Sequence, residues 1–103
     1  MSFKNILCFG TLNPDLIYFI ESLPSKGDDI RSSRSNIRAG GTAINCSELI
    51  ALWDKSVHVR GNSIGDDPLG RYLINHLKEN EIEYSDLIIN DTITPTCSIF
   101  VDS

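Results

Sequence analysis

Apolar residues come in short bursts between turn-forming residues, and the spacing within the bursts changes along the chain. Ile6-Leu7-Cys8-Phe9 is a continuous apolar run closed by Gly10. It predicts a strand at 5–9, covered on both faces. Thr11-Leu12-Asn13-Pro14-Asp15 predicts a turn, because Pro14 fixes its own φ and holds Asn13 extended. Residues 16–21 return as a second extended run, and 23–29 are loop by their Pro, Gly, Ser and Asp content. Residues 30–38 alternate only weakly and are very polar. They predict a peripheral strand whose charge guards an exposed edge.

The spacing becomes helical after Gly40-Gly41. Ala43, Cys46, Ser47, Ile50 and Ala51 make one small-residue face of a helix predicted at 42–53. Leu49 and Leu52 make much of the remainder apolar, so this helix is expected to be mostly buried. Residues 56–60 alternate with period two and predict a strand; 61–65 turn. Asp67 followed by Pro68 is a strong helix start, with Leu69, Leu73 and Leu77 at i, i+4, i+8, Tyr72 and Ile74 widening the stripe, and Asn80 able to close it in the left-handed conformation. Residues 83–89 and 97–101 predict two more strands around a turn containing Pro95. Strands alternating with helices argue for an α/β fold with a parallel sheet. The polar third strand and the last strand lack covering helices and are expected in a separate flap or small sheet.

At 103 residues the chain is one domain or a piece of a larger one. Nine Lys and Arg against 14 Asp and Glu give a net charge of −5, which argues against nucleic acid as the main partner. Three of the five arginines, Arg31, Arg34 and Arg38, fall within eight residues. They read as a solvated strand face ahead of a local anion contact. The longest apolar run, 16–20, is far short of the roughly 20 residues that cross a bilayer, so no membrane association is expected. The start of the chain has no signal-peptide pattern. Cys8, Cys46 and Cys97 have no metal-binding spacing and are expected as buried free thiols, consistent with a cytoplasmic protein.

Two clusters could carry chemistry. Asn13 and Asp15 follow the first strand, where ligands of open α/β sheets bind; an amide and a carboxylate together suit vicinal hydroxyls. The plain alternative is that Asn-Pro-Asp is a good turn. Gly40-Gly41 open a helix, where a ligand can approach backbone N–H groups, and Asn45 lies one turn further on. The plain alternative there is helix capping by a glycine loop. Neither a Walker A loop nor a dinucleotide fingerprint is present. Asp66 and Asp67 read as structural, and His58 and His76 have no evident acidic partner.

The motifs and their order resemble the amino-terminal part of the PfkB/ribokinase family of carbohydrate kinases. The elements are Gly10-x-x-Asn13-x-Asp15, Leu23-Pro24, Gly40-Gly41-Thr42-Ala43-Ile44-Asn45, the stretch 61–70 and the stretch 94–101. The resemblance implies a Rossmann-like (ribokinase-like) α/β fold with a small β-sheet lid. The chain would be the amino-terminal part of one such domain, with lid strands at about 16–38 and 94–103. It implies ATP-dependent phosphoryl transfer to a hydroxyl of a sugar or nucleoside, with Mg²⁺, and a homodimer contact through the lid. By carry-over, Asn13 and Asp15 hydrogen-bond sugar hydroxyls, Gly40 and Gly41 present backbone, and Asn45 contacts another hydroxyl. No catalytic residue is expected in this chain. The family's GxGD stretch, whose Asp is the base, and its ATP-binding segment are not in the sequence. Thr42 stands where many members carry Lys, and Asp54-Lys55 where they carry glycine. The 103 residues are therefore expected to have no kinase activity alone. Two alternatives remain: a non-catalytic truncated module that binds a polyol or dimerises, and an unrelated flavodoxin-like domain, which requires 30–38 in the main sheet.

Overall fold

The computed structural model describes residues 5–53 and 56–102, so the first four residues, Asp54, Lys55 and Ser103 lie outside the described part. The core forms where two parallel strands meet two helices. β1 (Asn5–Gly10) pairs with β4 (Ser56–Gly61) in a register that sets Cys8 opposite Val59 and Ile6 opposite Val57. These inward positions alternate with outward ones, as a pleated strand requires. Cys8, Val57 and Val59 pack with Ala43 and Ile44 of α1 (Thr42–Ala51) and with Leu73 and Leu77 of α2 (Pro68–Glu79).

Three expectations about burial are corrected. β1 is covered on one face only: Phe9 is 75% exposed and Leu7 is exposed beside it. No described element packs on that second face. α1 is not mostly buried, since only Ala43, Ile44 and Ser47 are buried while Leu49, Leu52 and Trp53 are exposed. It also stops at Ala51, two residues early. The thiols divide: Cys8 is buried, and Cys46 and Cys97 are exposed.

α2 begins as its sequence dictates, with the Asp67 carboxylate accepting from the Gly70 N–H at 2.8 Å and Pro68 at the first helical position. Its end differs. Asn80 keeps a negative φ, and Glu81 takes the left-handed conformation at φ 58°. The Ile82 N–H then donates to the Leu77 carbonyl at 2.9 Å, and the Ile82 side chain enters the core.

The strand predicted at 83–89 is two separate pieces. Glu83 makes a single bridge to His58, residues 84–87 turn through Ser85 and Asp86, and the chain then forms β6 (Ile89–Asn90) beside β5 (Ile64–Gly65). Turn-forming Ser and Asp interrupt what apolar content alone suggests is continuous. β5 also shows that 61–65 is not all turn.

The remaining strands form a second sheet in the order β3-β2-β7. β2 (Asn13–Ile20) is antiparallel to β3 (Arg34–Gly40) and parallel to β7 (Cys97–Asp102). The polar strand thus lies at an edge of a separate small sheet, which excludes the flavodoxin-like alternative. It runs later than predicted, starting at Arg34. Residues 13–15 are strand rather than turn. Pro14 is tolerated because the β7 pairing begins only at Asp15, leaving the Pro14 nitrogen at a position with one neighbouring strand. Tyr18 stacks on Phe100 with ring centroids 5.6 Å apart, and the Tyr72 hydroxyl donates to the Ile37 carbonyl at 3.2 Å, tying α2 to the small sheet.

Candidate functional site

Two threonines join the start of β2 to the start of α1. The Thr11 N–H donates to Thr42 Oγ1 and the Thr42 N–H donates to Thr11 Oγ1, both at 3.0 Å. The Ala43 N–H donates to the Thr11 carbonyl at 3.1 Å. The first two amides of α1 are therefore satisfied within the chain. Asn62 holds the next residue on both sides: the Leu12 N–H donates to its Oδ1 at 2.8 Å, and its Nδ2 donates to the Leu12 carbonyl at 2.9 Å.

With that path fixed, the β2–β3 register places Asn13 opposite Gly40 and Asp15 opposite Arg38. Asn13 Nδ2 donates to Asp15 Oδ1 at 2.9 Å, and Arg38 Nη2 donates to Asp15 Oδ2 at 3.0 Å. Asp15 is only 7% exposed, yet both its oxygens have a donor, as a buried carboxylate requires. A Cβ on Gly40 would lie 2.5 Å from Asp15 Oδ2, so the missing side chain is the space the carboxylate occupies. Gly41 has φ 97°, and a Cβ there would meet the Thr11 carbonyl and lie 3.1 Å from Asn13 Oδ1.

Asn13, Asp15, Gly40 and Gly41 are thus one cluster. Asn45 joins it through the backbone, its N–H donating to the Gly41 carbonyl at 3.0 Å. Its side chain is exposed, so the argument that a buried amide needs a partner does not apply. A carboxylate oxygen accepts about two hydrogen bonds. Each oxygen of Asp15 therefore keeps capacity beyond its internal partner, fixed in direction by the two donors.

Sequence reasoning missed Arg38, Thr11 and Asn62. Only a known strand register reveals that Arg38 faces Asp15; the partners of Thr11 and Asn62 are 31 and 50 residues away. It also missed the histidine partners: His58 Nδ1 lies 2.8 Å from Asp86 Oδ2, and His76 Nε2 contacts Glu48 Oε1.

Asp67 does structural work beyond capping. It accepts from the Thr94 hydroxyl at 2.6 Å and the Thr94 N–H at 2.9 Å, and these bonds, with that from Gly70, hold its carboxyl below the usual value. The Cys8 thiol is pushed up to about 11, first by burial and then by Cys46 beside it. Among the described residues no group of three or more His, Cys, Asp or Glu side chains could hold a metal ion. A groove is lined by Tyr18, Ile20, Ile30, Arg31, Ser98 and Phe100. It opens on the face of the small sheet opposite Asp15.

A parallel α/β body with a small second sheet rooted beside an amide, a carboxylate and two glycines defines the ribokinase fold, and solved structures agree. The ribokinase of Thermotoga maritima superposes with TM-score 0.86 at 22% identity, over 98% of this chain and 33% of its own. The nucleoside kinase of Methanocaldococcus jannaschii, an archaeal member of the ribokinase family, gives 0.84 at 24%, over 98% and 34%. The ribokinase of Cryptococcus neoformans, solved with ADP, gives 0.83 at 24%, over 97% and 31%. The chain spans about a third of the length of these structures. No curated protein matches it in sequence. The family model described as pfkB family carbohydrate kinase matches residues 4–103, and the chain belongs to that family.

Proposed function

We propose that this chain supplies the acceptor site and lid of an ATP-dependent kinase that phosphorylates a hydroxyl of a sugar or nucleoside. The observation that carries this reading is the Asp15 carboxylate held from both sides by Asn13 and Arg38 against Gly40. Asp15 accepts hydrogen bonds from acceptor hydroxyls, Asn13 orients Asp15, and the glycines let the acceptor approach backbone. Asn45, at the rim, contacts a further hydroxyl. The small sheet β3-β2-β7 acts as the lid that excludes water from the acceptor, and a homodimer forms through it. Action in the cytoplasm accords with the three free cysteines.

The family implies ATP and Mg²⁺. The residues of this chain do not fit either group: the described residues hold no metal-ligating cluster, and the sequence holds no GxGD stretch. Their contribution is confined to binding and orienting the acceptor. Phosphoryl transfer needs a positioned nucleotide, a metal ion and a base.

Calorimetric titration of the 103-residue chain with D-ribose, D-fructose and adenosine tests the reading. At least one binds, and Asp15→Ala weakens it about tenfold or more, since a charge-assisted hydrogen bond is lost. Failure of all three to bind overturns the reading. The chain with ATP, Mg²⁺ and the same acceptors gives no turnover; product formation would overturn the restriction to acceptor binding.

A further inference from the structure

The inward residues of β1 meet the buried stripe of α1. Cys8 is 6% exposed and packs with Ala43 and Ile44. Cys46 follows Ala43 by three residues, and side chains at that spacing are neighbours on the helix surface. It sits at the margin of the stripe that Ala43, Ile44 and Ser47 define, facing Cys8 on one side and solvent on the other. Its sulfur is close enough to hydrogen-bond with the Cys8 thiol. A disulfide brings two sulfurs to about 2 Å, a short further closure for thiols already in contact.

The two thiols differ in access and in state. Burial holds the Cys8 thiol at about 11, so it stays protonated at neutral pH. Peroxides are attacked by the thiolate of an accessible cysteine. Cys46 is the exposed member of the pair and Cys8 is shielded behind it. One sulfur is thus placed to meet an oxidant and the other to meet the product.

We infer that Cys46 and Cys8 form a reversible disulfide on exposure to a hydroperoxide, with Cys46 as the sulfur first oxidised and Cys8 as the resolving thiol. The Cys46 thiolate attacks the terminal oxygen of the hydroperoxide. The O–O bond breaks, the alcohol leaves with the thiol's proton, and Cys46 becomes a sulfenic acid. The Cys8 sulfur then attacks the Cys46 sulfur; the S–O bond breaks, and hydroxide departs as water with the Cys8 proton. Two thiols are oxidised to one disulfide, and one hydroperoxide is reduced to an alcohol and water. The new bond ties β1 to α1 one residue beyond Asn45. Disulfides that occur in a reducing cytoplasm are of this transient kind. The competing account is that both cysteines only fill space between strand and helix as small apolar residues. Thiols with that role alone do not join.

The experiment treats the Cys97→Ser chain, which keeps two of the three cysteines, with tert-butyl hydroperoxide, then unfolds it and counts thiols. Both thiols disappear, the mass falls by two hydrogens, non-reducing electrophoresis shows a single chain, and dithiothreitol restores both thiols. A peptide map of the oxidised wild type links the Cys8 and Cys46 peptides, a readout that depends on no variant. Cys46→Ser slows the loss of the Cys8 thiol at least about tenfold. Retention of both thiols overturns the inference. So does oxygen added to Cys46 with Cys8 still free, or a disulfide formed only between chains. Loss of the Cys8 thiol at an undiminished rate in Cys46→Ser overturns it as well.

Discussion

The Asp15 carboxylate and Gly40 occupy one volume, and that exclusion makes a single methyl group decisive. A Cβ at residue 40 would sit 2.5–2.9 Å from three carboxyl atoms of Asp15, so Gly40→Ala must push the carboxylate off Asn13 and Arg38. Acceptor binding is expected to fall about tenfold or more with the fold retained, measured by titration alongside circular dichroism; unchanged binding would contradict the shared-space account. Asp67 sets a second residue-scale expectation. Its carboxyl lies below the ordinary value of 3.8 because the Thr94 hydroxyl, then the Thr94 and Gly70 amides, bond its ionised form. A carboxyl depressed by folding stabilises the native state above its unfolded value, and the contribution is lost as pH falls through the folded value. The melting-temperature gap between the wild type and Asp67→Asn is thus constant above about pH 4 and closes below it. A gap independent of pH would show that the bonds do not favour the charged form.

At the scale of elements, local signals located both helices and most strands but not how they end or pair. Asp67-Pro68 announced the start of α2 because capping is decided within four residues. Its end was not legible: Asn80 is the better left-handed residue, yet Glu81 adopts that conformation because Ile82 must then reach the core. Tertiary burial outweighs local preference at that position. Glu81→Gly is expected to stabilise the protein by up to about 1 kcal/mol by relieving the left-handed side chain, read as a higher urea midpoint at unchanged m-value. No gain would mean that Gly's unfolded-state entropy cancels the relief. The same limit applied at 83–89 and at 13–15, where strand character depended on which neighbour was present. Asn13, Asp15, Gly40 and Gly41 were legible as candidates from turn chemistry and helix start. Arg38 was not, because the β2–β3 register lies outside what any local window contains.

For the whole molecule, a radius of gyration of 16.1 Å exceeds the roughly 13 Å of a compact chain of this length. The small sheet extends from the body rather than packing wholly onto it. Among the exposed large apolar residues are Leu7 and Phe9 on the sheet face away from α1, and Leu49, Leu52 and Trp53 on and after α1. Exposed apolar area of this kind drives association. The 103-residue chain is therefore expected to elute from size exclusion as concentration-dependent species larger than a monomer. Phe9→Ser shifts the distribution toward monomer. A monodisperse monomer of the wild type would show that these surfaces are inert in water.

The threonine clasp between residues 11 and 42 fixes where the small sheet is anchored. Its root is tied to α1 and held at Leu12 by Asn62, while residues 21–33 at its far end are exposed. The sheet is thus anchored at one end, with Tyr72 of α2 holding Ile37 part-way along it. Under the proposed lid role, rocking about that root would displace Asp15 little and Arg34 more, and the Tyr72–Ile37 bond would have to yield first.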